Sequence, residues 1–137
     1  MKESLNSHAP TRAVVIAFYN AIAQRDYETL RRLGRPDYIQ HNPDFETGLD
    51  GLIRTLRTRT TPAATRPLEF VRVLVDGDFV MTLRRAPPLA DRASEPGAEI
   101  AVVDIFRVQG GLVAEHWDYK EHFPRTNGPP KNENGRF

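Results

Sequence analysis

The sequence predicts an α+β domain on three observations. Helical periodicity is confined to the first half, in residues 12–24 and 49–56. Alternating, β-branched patterns fill the second half from Pro67 to Tyr119. Two glycine turns, at Asp76-Gly77-Asp78 and Gly110-Gly111, cut that second half into hairpins. Helices first and antiparallel strands after them indicate segregated layers rather than a parallel α/β sheet.

The elements follow in order. Residues 1–10 read as a disordered lead, with Thr11 as the cap of the first helix. From Arg12 to about Gln24 the chain is apolar nearly all round. Val14, Phe18, Ala21 and Ile22 form one stripe, widened by Val15 and Tyr19, so this helix should be clasped by the sheet. Asp26 caps a short second helix carrying Tyr27, Leu30 and Leu33, which Gly34 and Pro36 end. PDYIQHNPDF is too rich in proline and asparagine for a helix and has a strand-like centre at Tyr38-Ile39-Gln40. Gly48 opens a third helix with Leu49, Leu52, Ile53 and Leu56 on one face. TTPAATRP is a loop. Strands run from Pro67 to each side of the Asp-Gly-Asp turn, and PPLADRASEPG is an exposed loop. Residues 98–109 and 112–119 form the last hairpin, and from Lys120 the chain is polar and rich in Pro, Gly and Asn. The whole is a single domain over residues 1–137, with a core at about 11–119 and extended or flexible ends at 1–10 and 120–137.

The last hairpin, VDIFRVQGGLVAEHWD, carries the chemistry. A two-residue loop at Gly110-Gly111 would place Asp104 opposite Trp117 and send Asp118 to the other face. A three-residue loop, with Gly111 in a left-handed bulge, pairs Val108 with Leu112, Phe106 with Ala114 and Asp104 with His116. The second register is preferred, because it gathers Asp104, Phe106, His116 and Asp118 on one face, apolar at one end and ionisable at the other. Val103, Ile105, Arg107, Val113, Glu115 and Trp117 then occupy the opposite face, which is apolar enough to need a cover.

Composition narrows the classes. Nineteen Lys and Arg against 18 Asp and Glu leave no field for nucleic acid or a membrane surface. The arginines at 54, 57, 59 and 66 lack interleaved aromatics and read as a solvated face. With no cysteine, disulfides, thiol nucleophiles and zinc-thiolate sites are excluded. No apolar run is long enough to span a bilayer, and the first residues lack the apolar core of a signal peptide. A soluble, cytoplasmic protein is expected.

FYNAIAQRDYETL, YIQHNP, VVDIFRVQGGLVAEHWD and the terminal NENGRF together resemble the SnoaL-like polyketide-cyclase branch of the nuclear-transport-factor-2-like superfamily, over about residues 12–119. The resemblance implies a cystatin-like cone: a strongly curved antiparallel sheet wrapped around a long N-terminal helix, with a deep pocket. It implies a general base at Asp118, which removes a proton from carbon next to a carbonyl. Where this chain has Asp104, the family often has histidine, a departure that weakens polyketide cyclisation in particular. The epoxide-hydrolase branch uses an Asp-Arg-Asp set, and its arginine position is Val102 here.

Candidate catalytic residues are therefore Asp118, Asp104 and His116. For each the alternative is structural: an aspartate bonded to backbone or arginine, a strand-start residue holding loop amides, a half-buried histidine satisfied by its neighbour. Candidate substrate-binding residues are His41, Asn42, Tyr19, Phe18 and Phe106. Turn-making by Asn42-Pro43 and core packing of Phe18 and Tyr19 are the competing readings. His116, Asp118 and His122 have the spacing of a two-histidine, one-carboxylate iron site. Because His122 falls beyond the expected strand and the resembled family is metal-free, neither a metal nor another cofactor is expected. The function expected is a cofactor-independent cyclase, isomerase or aldol-type enzyme acting on a small apolar carbonyl compound in the pocket. A non-catalytic ligand-binding domain or a dimeric scaffold is the alternative, and a homodimer is expected through the face bearing Val103, Ile105 and Trp117.

Overall fold

The computed structural model describes residues 8–137. Most of the expected lead, residues 1–7, lies outside them. Helix α1 spans Ala9–Gln24, and Pro10 sits in its first turn. It starts before Thr11, which is not its cap. Proline's fixed φ and missing N–H suit a helix's first turn, so the proline-bearing end of the lead is helical. The helix closes at Arg25, whose left-handed backbone (φ 59°) turns its N–H back to the carbonyls of Ala21 and Ile22. Asp26 caps α2 (Tyr27–Leu33) by accepting the Thr29 N–H at 3.1 Å. Strand β1 (Gly34–Gln40) follows at once, and Gly48 opens α3 (Leu49–Thr58).

Strand β2 (Arg72–Asp76) begins later than Pro67. The Leu68 N–H is taken by the Asn20 side chain at 2.7 Å, which ties this segment to α1 rather than to a ladder. Strands β3 (Phe79–Ala86), β4 (Glu99–Gln109) and β5 (Leu112–Phe123) complete the fold, with a 3-10 turn at Ala90–Arg92. Strand β5 outruns the expected end at residue 119, so His122 belongs to the strand and not to a loop.

The architecture is α+β: an N-terminal helix against a curved, unclosed sheet in the order β1-β5-β4-β3-β2. The pairs among β2 to β5 are antiparallel, but β1 runs parallel to β5, so the sheet is mixed. A parallel neighbour needs a long crossover, and here everything from α3 to β4 supplies it. Val15, Phe18, Tyr19 and Ala21 of α1 pack against Val80, Phe106, Val108 and Val113 on the sheet's inner face. Completely burying a side chain such as Phe18 or Phe106 contributes ~2–3 kcal/mol.

The last hairpin departs from the expected register. Its loop is the two-residue Gly110-Gly111, with Gln109 opposite Leu112 and Val108 opposite Val113. Both glycines have positive φ (59° and 76°), as a tight turn with this twist requires. A bulge at Ala114 then shifts the ladder, pairing Arg107 with Glu115, Phe106 with His116 and Asp104 with Asp118. Next to the turn the faces are therefore exchanged: Val113 points into the core and Leu112 does not. Beyond the bulge the difference from expectation is two residues, one full pleat period, which changes partners and preserves faces.

The ladder lays the inner face out in cross-strand rows. Val80, Phe106 and His116 form one, Thr82, Asp104 and Asp118 the next, and Arg84, Val102 and Lys120 a third. Successive rows lie two residues apart along the strands, about 7 Å.

Candidate active site

The three rows floor a cavity of about 120 Å³ beneath α1. Tyr19 and Ile22 of α1 roof it, Gln40, Phe45, Leu52 and Arg59 form one side, and Arg84, Val102, Asp104, His116, Asp118 and Lys120 come from the sheet. Asp104, His116 and Asp118 thus share one cavity.

A continuous hydrogen-bond chain crosses the site. Arg84 Nε donates to the Tyr19 hydroxyl at 2.6 Å, and Tyr19 donates to Asp104 Oδ2 at 2.5 Å. Burial above all, and then the Asp104 charge, push the Tyr19 hydroxyl well above the ordinary tyrosine range, although Arg84 pulls it down. It is therefore a permanent donor at neutral pH. Asp104 Oδ1 meets His116 Nε2 at 2.8 Å, and His116 Nδ1 meets Gln40 Oε1 at 3.0 Å. Gln40 Oε1 also accepts the Asn42 backbone N–H at 3.0 Å, while its Nε2 donates to the Tyr38 hydroxyl at 3.2 Å. A backbone N–H can only donate, which fixes the Gln40 amide with its oxygen towards the histidine. His116 Nδ1 then carries a proton. The 2.8 Å contact between Nε2 and Asp104 Oδ1 then needs one proton, carried by either partner. Tyr38 is buried too, and burial first, then the charges of Asp104 and Asp118, raise its hydroxyl well above the usual range.

Asp118 is held differently. It is half-buried, accepts Asn42 Nδ2 at Oδ2 at 2.9 Å, and makes no ion pair among the described residues. Asn42 is buried and kept in place by the Asp44 N–H on its own Oδ1 at 2.9 Å.

Other candidates fall elsewhere. Phe18 and Phe106 are fully buried core, with the Phe106 ring 4.6 Å from that of His116, and neither lines the cavity. Asn42 touches Asp118 rather than the open space. His41 is on the outer face: its ring stacks on Trp117 at 4.7 Å and its Nε2 meets Glu115 Oε1 at 2.8 Å. It follows Gln40 on β1, so strand alternation turns it away from the side that faces His116. Asp104, His116 and Asp118 each offer a ligand atom, and these atoms lie within 4.8 Å of one another, a set that fits a divalent cation by donor type. His122 is not in that set, being two rows from Asp118.

Sequence reasoning missed Gln40, Tyr38, Arg84, Arg59 and Lys120. Arg84 was readable in part, because Val80, Thr82 and Arg84 alternate with exposed residues along β3. It lies directly across from Val102, so an arginine reaches the cavity from the neighbouring strand where Val102 itself supplies none.

The family model described as SnoaL-like domain matches residues 15–116. Among curated proteins no sequence matches. Solved structures share the fold at low identity. A candidate ketosteroid isomerase from Kribbella flavida is 20% identical over 90% of this chain and 84% of its own, with a TM-score of 0.64. An LEH-like epoxide hydrolase from M. tuberculosis is 22% identical over 82% and 84%, with a TM-score of 0.61. IdmH from Streptomyces antibioticus, a candidate polyketide cyclase, is 20% identical over 81% and 91%, with a TM-score of 0.55.

Proposed function

The chain belongs to the SnoaL-like domain family, and on that premise we propose that it is a cofactor-independent enzyme that moves a proton at carbon next to a carbonyl, in a small and mostly apolar compound. One observation carries the reading: of the two aspartates in the cavity, only Asp118 lacks a cation or a second strong donor. A carboxylate held by one neutral amide keeps an oxygen for a substrate proton. Asp118 takes the α-proton, and the C–H electron pair moves into the enolate. The developing oxyanion lies beside the Asp104–His116 pair, and His116 Nε2 must turn from Asp104 to donate to it. Asn42 positions the base, and Tyr19 holds Asp104. Related proteins named as isomerase, epoxide hydrolase and cyclase support acid-base chemistry on this fold without choosing the reaction. The space suits a small substrate, being room for about four waters at ~30 Å³ each.

The test is isotope exchange at carbon in heavy water, followed by NMR across small ketones. Asp118→Asn should keep the fold and ligand affinity while slowing exchange about a hundredfold or more, and chelator should leave it unchanged. Undiminished exchange in that variant would sink the base assignment and leave a ligand-binding domain as the reading.

We also propose a homodimer through the outer face. Trp117, Ile105, Met81 and Leu74 form one cross-strand row there, and Leu74 and Phe79 are 54% and 44% exposed. Apolar rows this continuous mark contact surfaces.

A further inference from the structure

The third row of the inner face supplies no group that takes or gives the substrate proton, although Arg84 braces the Tyr19 hydroxyl. Arg84 and Lys120 flank Val102 in it, one row from the two aspartates, and Arg59 joins them at the cavity wall from the end of α3. None of the three cations has an acidic partner within ion-pair distance among the described residues. Arg84 is the most telling. It is half-buried, and its guanidinium leans on the Tyr19 ring with its carbon 5.2 Å from the centroid. Its Nε is spent on the Tyr19 hydroxyl, and its two terminal nitrogens make no hydrogen bond among the described residues. A guanidinium fixed by one edge, with its fork left over in a cavity, is preorganised for a planar anion. The charge balance agrees. The Asp104–His116 pair, sharing its proton, is neutral as a unit, so Asp118 alone faces three cations.

We propose that the pocket takes a keto acid, its carboxylate bound by Arg84 and Lys120 while its α-carbon lies one row away at Asp118 and its carbonyl points on towards His116 in the row beyond. The assignment rests on the proton-transfer reading above and narrows its substrate class. The row spacing of about 7 Å along the strands sets the separation, and side-chain reach shortens it to a few bonds of substrate. A γ-keto acid fits both the span and the small cavity.

The probe is 4-oxopentanoate, compared with the uncharged 4-oxopentanamide of nearly the same shape. Binding is read by NMR titration and α-exchange by loss of proton signal in heavy water. The wild-type protein should bind the acid about tenfold more tightly than the amide, the scale of one added charge-assisted hydrogen bond. Added salt should narrow the gap. Arg84→Gln and, separately, Lys120→Met should each reduce the preference. Lys120 is exposed, so that variant keeps the test sound if Arg84→Gln disturbs Tyr19 and the fold. Acetate and inorganic phosphate at equal concentration should compete weakly, because neither offers a ketone towards His116. Equal binding of acid and amide, with exchange seen in both, overturns the carboxylate site and leaves the proton-transfer reading standing. A preference for the acid without exchange in either probe supports the carboxylate site and defeats the proton-transfer reading instead.

Discussion

Asp104 and Asp118 face each other across one rung of the sheet, and their surroundings divide the labour between them. Asp104 is buried between a tyrosine hydroxyl and an imidazole, whereas Asp118 is half-open with one amide donor. Tyr19→Phe strips the donor from Asp104 Oδ2 and should cost about 1–3 kcal/mol in urea unfolding, the usual penalty of a buried acceptor left unmet. Glu115 is a different case on the outer face. Burial pushes its carboxyl up, but the hydrogen bonds from His41 and Arg107 outweigh it and hold the group below the ordinary glutamate range. A carboxyl lowered by folding adds stability that is present above its unfolded value and lost as pH falls through the folded one. Unfolding midpoints measured from about pH 6 down to about pH 3 should therefore drop more steeply for the wild type than for Glu115→Gln. At this scale the sequence showed the residues of one hairpin and little else. Gln40 and Arg84 reach the cavity from β1 and β3, and no local pattern ties them to Asp104. His41 had the right neighbours in the chain and the wrong strand parity.

Among the elements, the α2–β1 junction leaves no spare room. Gly34 ends α2 and starts β1 with no room for a side chain: a Cβ there would lie 2.8 Å from Leu49 Cδ1 and 2.9 Å from Phe18 Cε2. Its φ of −101° suits any residue, so the demand is for space alone. Gly34→Val should destabilise by about 1–3 kcal/mol in a denaturant titration, as overpacking of cores does, and Gly34→Ala by less. The helices and hairpins were legible because period and turn glycines mark them. The bulge at Ala114 was not, since one extra residue in a strand leaves no signature in composition. The faces of Asp104, His116 and Asp118 nevertheless emerged, because the three-residue loop and the two-residue loop with a bulge have the same parity. The parallel seat of β1 was equally silent: a short polar strand reads alike on either side of a sheet.

For the molecule as a whole, the α+β class and the curved sheet against an N-terminal helix were readable from element order and the family resemblance. No helix among the described residues is long and apolar enough to cross a membrane. What the outer face does depends on a second surface that a single chain does not contain. If that face pairs with itself, light scattering at micromolar concentration should give twice the chain mass, and Phe79→Glu should return it to one. The row is not purely apolar, because Arg107, Glu115 and His41 form an ion cluster beside Trp117. Such charges at a two-fold contact set orientation more than strength.

The place of β5 has a consequence for how the protein comes into being. It is the last strand in the chain and yet lies inside the sheet, between β1 and β4. Gln40 and His116, which hydrogen-bond across the β1–β5 seam, are 76 residues apart. Contacts of such long sequence range close loops before they return any energy, and they fold slowly. Until β5 has emerged, a growing chain leaves the edges of both β1 and β4 bare, open to strands from other molecules. The cavity has no independent history either. His116 and Asp118 arrive on the strand that completes the sheet, so chemical competence and a finished fold are reached in the same kinetic event.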